Sequence, residues 1–166
     1  QFSFTENLNP LIQNDMLVRL YVHDYGWEQE KRWNDRFPNL ALDLGKKNIN
    51  ELIAKSRLFV STYNAATYLE SFTMDVPTVI FWNPKYWEIR DAAIPYFDEL
   101  KRVGIFHETP ESAAMHVSEV WDNVDEWWHS KPVRKALNQF KSQYSDIYSD
   151  ITGNIEAELR AEFNKS

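Results

Sequence analysis

Leu58-Phe59-Val60-Ser61-Thr62-Tyr63-Asn64-Ala65-Ala66-Thr67-Tyr68-Leu69-Glu70, with Pro77-Thr78-Val79-Ile80-Phe81-Trp82 close behind, decides the fold. The run 58–62 is rich in β-formers. Ala65, Tyr68, Leu69 and Phe72 fall at helical spacing, so a helix follows at once. The run 77–82 reads as a second, buried strand, closed by Asn83-Pro84. Strand, short hydroxyl-rich turn, helix and strand make a β-α-β unit, and such units build parallel sheets covered by helices.

The same alternation extends outward. Residues 16–22 read as a strand with Arg19, Tyr21 and His23 on one face, broken by Asp24-Tyr25-Gly26. A charged helix is expected over 27–37, stopped by Pro38, then a short strand over 40–44. Ile49, Leu52 and Ile53 mark another helix. Further on, Pro95 opens a helix carrying Phe97 and Leu100, with Gly104 as its stop. Ile105-Phe106-His107 is a brief strand. Thr109-Pro110-Glu111 is a helix start built from a capping hydroxyl, a proline and an acid. Val133, Leu137, Phe140 and Tyr144 line a further helix, and Ile155, Leu159 and Phe163 a last one behind Gly153. Trp121, Trp127 and Trp128, among Asp122, Asp125 and Glu126, read as a packing hub between helices, or as an exposed edge that meets another domain.

The expected fold is therefore α/β: a Rossmann-like parallel sheet with helices on both faces, plus a C-terminal helix. Residues 1–145 form the sheet domain and residues 146–166 a helical tail. In such sheets ligands sit beyond the C-terminal ends of the strands. His23, Asp24, the segment 61–67, the segment 82–86 and His107 all fall there.

Composition narrows the chemistry. The 166 residues carry 18 Lys and Arg against 25 Asp and Glu, a formal charge of −7, which argues against general nucleic-acid binding. With 43% hydrophobic residues and seven Trp, the chain has the makings of a folded core. Its longest apolar runs, about five residues, fall far short of a bilayer span of ~20. There is no Cys, so thiol catalysis, disulfides and thiolate metal sites are excluded. Four scattered glycines, Gly26, Gly45, Gly104 and Gly153, cannot make a G-x-G-x-x-G or Walker A loop. No His and acid pair has a convincing metal spacing. The chain starts at Gln1 with neither Met nor a signal peptide, which suggests a piece of something longer.

What remains is a phosphate site of another kind. A helix N-terminus offers free N–H groups and the positive end of a dipole. Ser61, Thr62, Tyr63 and Asn64 line the approach, and Thr67 and Glu70 share one helical face. A carboxylate placed there can accept two hydrogen bonds from a ribose diol. The plainer alternative is an ordinary helix cap with a solvated Glu. Arg19 and His23 form a second cluster, able to meet a diphosphate as cations or to form a salt-bridged strand end. Trp82 and Asn83 lead a loop, 82–88, with aromatic rings that could stack on a base or sugar, or pack on neighbouring loops. His107 stands between a strand and a capped helix, at the edge where a nucleotide would lie.

The segment 61–70 and the step from Glu70 to Pro77 resemble the donor-binding half of GT-B glycosyltransferases. More narrowly, the segments 21–27, 61–70, 81–88 and 104–112 resemble a family of bacterial transferases linked to surface-polysaccharide and O-antigen synthesis. The resemblance covers roughly residues 15–145. It implies that the turn holds a nucleotide diphosphate, that Glu70 binds its ribose, and that no metal or other cofactor is needed. It also implies that a nucleotide-sugar donor is the substrate and that an N-terminal acceptor-side domain is missing from this chain. In GT-B folds the C-terminal helix crosses back to that domain. Such work is cytoplasmic, with peripheral attachment to the inner membrane as an option. Asp75-Val76 stands where many GT-B members have Gly before the Pro, and His23 precedes Asp24 where related transferases carry His-Pro. The competing expectation is a non-catalytic, flavodoxin-like α/β interaction module.

Overall fold

The computed structural model describes residues 1–145. The tail 146–166, with the helix expected around Ile155, Leu159 and Phe163, lies outside the described residues. Among the described residues are five short strands: β1 (Leu17–Arg19), β2 (Ala41–Asp43), β3 (Phe59–Ser61), β4 (Thr78–Phe81) and β5 (Phe106–His107). All pair in parallel, β1 with β2 and, separately, in the order β3-β4-β5. The helices are α1 (Phe2–Asn7), α2 (Pro10–Gln13), α3 (Gln29–Arg36), α4 (Ile49–Lys55), α5 (Thr67–Thr73), α6 (Ile94–Arg102), α7 (Pro110–Val120), α8 (Val124–Trp128) and α9 (Lys131–Tyr144). This is the Rossmann-like α/β class expected from the alternation. Among the described residues no helix is long and apolar enough to cross a membrane.

β4 organises the interior. All four of its residues are buried, as a central parallel strand requires. Side chains alternate between faces of a sheet. Val79 and Phe81 accordingly join Phe4, Leu8, Ile12 and Val117 beneath α1, α2 and α7. Ile80 and the following Trp82 join Phe72, Leu100, Leu137 and Phe140 beneath α5, α6 and α9. A third, smaller cluster of Val18, Leu20 and Trp33 covers the β1-β2 pair. Trp128 is fully buried, so the tryptophan group is a hub between helices.

Several ends differ from expectation, each for a local reason. The first strand is three residues long, not seven. Leu20 still donates to the Asp43 carbonyl at 2.8 Å, but Tyr21 and Val22 then leave the sheet for solvent. Helix α3 starts at Gln29 because the Asp24 carboxylate takes the N–H groups of Trp27 and Glu28, at 2.8 and 3.1 Å, and Glu28 adopts a left-handed φ of 50°. Helix α6 starts at Ile94, placing Pro95 second. At α7 the Thr109 hydroxyl accepts from Ser112 N at 3.2 Å, and Pro110 is the first helical residue, as the sequence predicts.

Candidate functional site

The C-terminal ends of β3 and β4 open into two loops that meet. Ser61 ends β3, buried, with its hydroxyl donating to the Tyr63 carbonyl at 3.3 Å. Thr62 accepts from the Gln1 side-chain amide at 2.8 Å. The Asn64 carbonyl oxygen accepts from the Tyr68 hydroxyl at 3.2 Å, which fixes that side chain over α5. Burial, with the nearby Tyr144 adding to it, pushes the Tyr68 hydroxyl up to about 12, so it stays a donor. Thr67 is the first residue of α5, and no side chain caps the helix. Glu70 lies one turn along, exposed to solvent.

The segment from Glu70 to Pro77 is held tightly. Thr78 donates to Ser71 Oγ at 2.9 Å, and Ser71 donates to the Tyr68 carbonyl at 2.8 Å. Asp75 adopts a left-handed φ of 57°, the conformation that glycine adopts most readily. Its carboxylate accepts from Trp128 Nε1 at 3.1 Å and Arg134 Nη1 at 2.5 Å. Partial burial opposes its charge, yet these two donors prevail and hold the carboxyl below its usual range. The two hydrogen bonds hold Asp75 in a turn conformation that most residues avoid.

At the end of β4, Trp82 does not face the loops. It continues the strand alternation into the core, 3% exposed, with its ring centroid 4.8 Å from Phe106 and 5.6 Å from Phe97. Its indole N–H is buried without an acceptor among the described residues. Asn83 shapes the turn instead. Its side chain takes the Lys85 N–H at 2.9 Å and its carbonyl the Tyr86 N–H at 3.0 Å. That turn delivers Trp87 to Tyr63, with ring centroids 6.2 Å apart. Of the two tryptophans in the loop 82–88 that the sequence offers as stacking rings, Trp87 and not Trp82 is the exposed one. The signal was available: Trp82 shares its parity with buried Ile80, whereas Trp87 lies past the Asn83-Pro84 break.

Of the other expected residues, Arg19 and His107 are held by protein partners, and His23 stands exposed in the loop after β1. Arg19 is engaged with protein acceptors: Asp43 at 2.6 Å, the Lys47 carbonyl at 2.7 Å and the Gly45 carbonyl at 3.4 Å. It locks the loop after β2 and is not presented as a free cation. His23 is exposed, four residues beyond the end of β1, among Tyr21 and Tyr25. His107 turns toward the outer edge of the sheet. Its Nδ1 meets Ser112 Oγ at 3.1 Å and its Nε2 the Gly104 carbonyl at 3.0 Å. It lines a cavity of about 460 Å³ with Lys101, Gly104, His116, Glu119 and Trp127, none of which belongs to residues 61–70. Burial lowers the His107 pKa against the opposing pull of the Gly104 carbonyl, and burial beside His107 drives His116 down to about 4. Among the described residues no three His, Asp or Glu side chains are grouped to hold a metal ion.

Compared with known proteins, the chain matches over residues 1–159 a family model described as LIC12162 family transferase. No curated protein and no solved structure matches it.

Proposed function

The chain belongs to the LIC12162 family of transferases, and from that premise we propose that it is the donor-binding part of a GT-B-like glycosyltransferase. Its substrate is a nucleotide sugar, used in bacterial surface-carbohydrate synthesis on the cytoplasmic side of the membrane. Residues 1–145 are the donor domain, which works with a separate acceptor-side domain.

The observation that carries this reading is the meeting of the loops after β3 and β4, at the strand ends where α/β sheets take their ligands. Thr62, Asn64 and Thr67 supply hydroxyl and amide groups to the diphosphate, beside the first turn of α5, and Ser61, its hydroxyl turned to the Tyr63 carbonyl, shapes the approach. Glu70 accepts from the ribose diol. Tyr63 and Trp87 flank the base, while Asn83 shapes the loop that presents Trp87. His23 approaches the diphosphate from the loop after β1 and stabilises charge on it as the sugar departs. Arg19 holds the neighbouring backbone in place. Trp82 supports the site from below, and His107 fixes the edge strand. No metal or other cofactor enters this scheme.

Calorimetry with a panel of nucleoside diphosphates tests it. Binding of at least one is expected, weakened about tenfold or more in Glu70→Ala, since a charged hydrogen bond contributes on the order of 1.5–3 kcal/mol. No binding by any member, or affinity unchanged in Glu70→Ala, would sink the assignment.

A further inference from the structure

Besides His23, which the donor reading uses and which stands 6.0 Å from Tyr21 and 6.3 Å from Tyr25, the loop leaving β1 carries a set of exposed rings. Tyr21, Val22, Tyr25 and Trp27 are each more than half exposed, yet the three aromatic rings are ordered against one another. Tyr21 and Tyr25 are nearly parallel, with centroids 5.9 Å apart and 21° between planes. Trp27 follows 5.7 Å from Tyr25. The Asp24 carboxylate pins the loop through two backbone N–H groups. On the other side, the Val22 backbone presses so close to Gly45 that an added Cβ there would come within 2.8 Å. The rings are thus presented by a fixed loop.

Beside them lies a shallow, open depression of about 430 Å³ lined by Asp24, Glu28, Glu30, Lys31 and Asn34. Lys31 is paired with Asp35 at 2.7 Å, so three carboxylates and an amide set the character of the hollow. Asp24 belongs to both the ladder and the hollow.

We propose that the ladder and the hollow together bind a neutral oligosaccharide. A pyranose ring has a C–H face that packs on an aromatic ring and a rim of hydroxyls that donate hydrogen bonds. Tyrosine and tryptophan offer an apolar body with a polar edge. Ionised carboxylates are acceptors only and suit hydroxyl donors. The same three carboxylates repel a phosphate, which keeps a nucleotide diphosphate out of the hollow. A protein partner fits less well, because protein interfaces place apolar groups centrally and depend on few charges there. Here Val22 is the single aliphatic member of the exposed group, and carboxylates line the adjoining hollow. The position, beyond the C-terminal end of β1, is on the ligand side of the sheet. Naming the saccharide as the acceptor of transfer rests on the proposed function; the binding itself does not.

The test is an NMR titration of the full chain with cellohexaose, maltohexaose and chitohexaose, and with an oligogalacturonate as the anionic comparison. At least one neutral sugar is expected to shift the amides of residues 21–34 and the Trp27 indole. Tyr25→Ala and Trp27→Ala each weaken that binding about tenfold, the loss of one aromatic contact. Both remove exposed rings, and thermal melting checks that the fold is kept. Glu70→Ala weakens nucleotide binding and leaves sugar binding unchanged, so this site and the donor site stand or fall separately. Silence toward all three neutral sugars, preference for the oligogalacturonate, or shifts confined to other residues overturns the proposal. Concentration-dependent shifts of residues 21–27 without sugar also overturn it, by making the ladder a contact between copies of the chain.

Discussion

Tyr63 and Trp87 come from different crossovers and yet meet, with ring centroids 6.2 Å apart and planes tilted by 42°. Each is nearly half exposed, at 47% and 45%. These two rings, left open to solvent at the ends of adjacent parallel strands, are the pair that the proposed function sets beside the base.

Trp87→Ala is expected to weaken nucleoside diphosphate binding by about tenfold, in keeping with the ~1–3 kcal/mol of a base stacked on an aromatic ring. Because the ring is partly exposed, stability should change little. Titration calorimetry and thermal melting of the same sample separate the two effects.

Removing Asp43 has the opposite signature. Its carboxylate side chain is 4% exposed and is matched in register with Arg19 across β1 and β2. Asp43→Ala leaves the guanidinium with two carbonyls and no counter-charge. A loss on the order of 3 kcal/mol is expected, at the low end for a broken buried pair because Arg19 is part-exposed. Urea unfolding measures it.

Acid should weaken the fold through His116. The folded chain keeps this imidazole neutral down to about pH 4, whereas in the unfolded chain it titrates near its ordinary 6.5. Stability is therefore full above that value, falls as pH drops toward about 4, and then levels off for this group. Screening at a part-exposed ring limits the loss to about 1–2 kcal/mol. His107, lowered in the same direction, adds to it. His116→Gln should flatten the acid limb of a stability-against-pH curve; an unchanged slope would contradict this account.

Gly104→Ala tests the same corner by shape. Gly104 has a φ of +81°, and a Cβ there would fall 2.3 Å from His116 Cε1. Strain and crowding together should cost about 1–3 kcal/mol. The double variant with His116→Ala relieves the crowding but not the backbone strain, so it should not recover the contribution of φ. Differential scanning calorimetry of the three proteins distinguishes the parts.

The parallel β-α-β order was legible because it rests on local signals: hydrophobic periodicity, Pro and Gly punctuation, and the Thr109-Pro110 cap. Side-chain direction was harder. Trp82 reads both as the last residue of a buried strand and as the first of the loop 82–88, and sheet parity decides for the core. Arg19 reads as a free cation until Asp43, 24 positions later, is placed beside it. His107 sits at a strand end as expected, but the edge position of β5 lets it turn outward to Gly104 and Ser112. In each case the deciding partner is distant in sequence or set by strand order, which periodicity does not encode. The aromatic loop 21–27 was visible as residues, but not as a ladder, because its ring order depends on the Asp24 turn and on Gly45 beneath it.

β4 sends Val79 and Phe81 into one interior and Ile80 and Trp82 into the other. The two halves of the molecule share one strand, and neither can come apart without uncovering it. Melting of the α1-α7 side and of the α6-α9 side is thereby tied into a single transition. A ligand held at the proposed site, where β4 ends, would stabilise both sides at once. Occupancy of the site and integrity of the whole domain become two readings of one equilibrium.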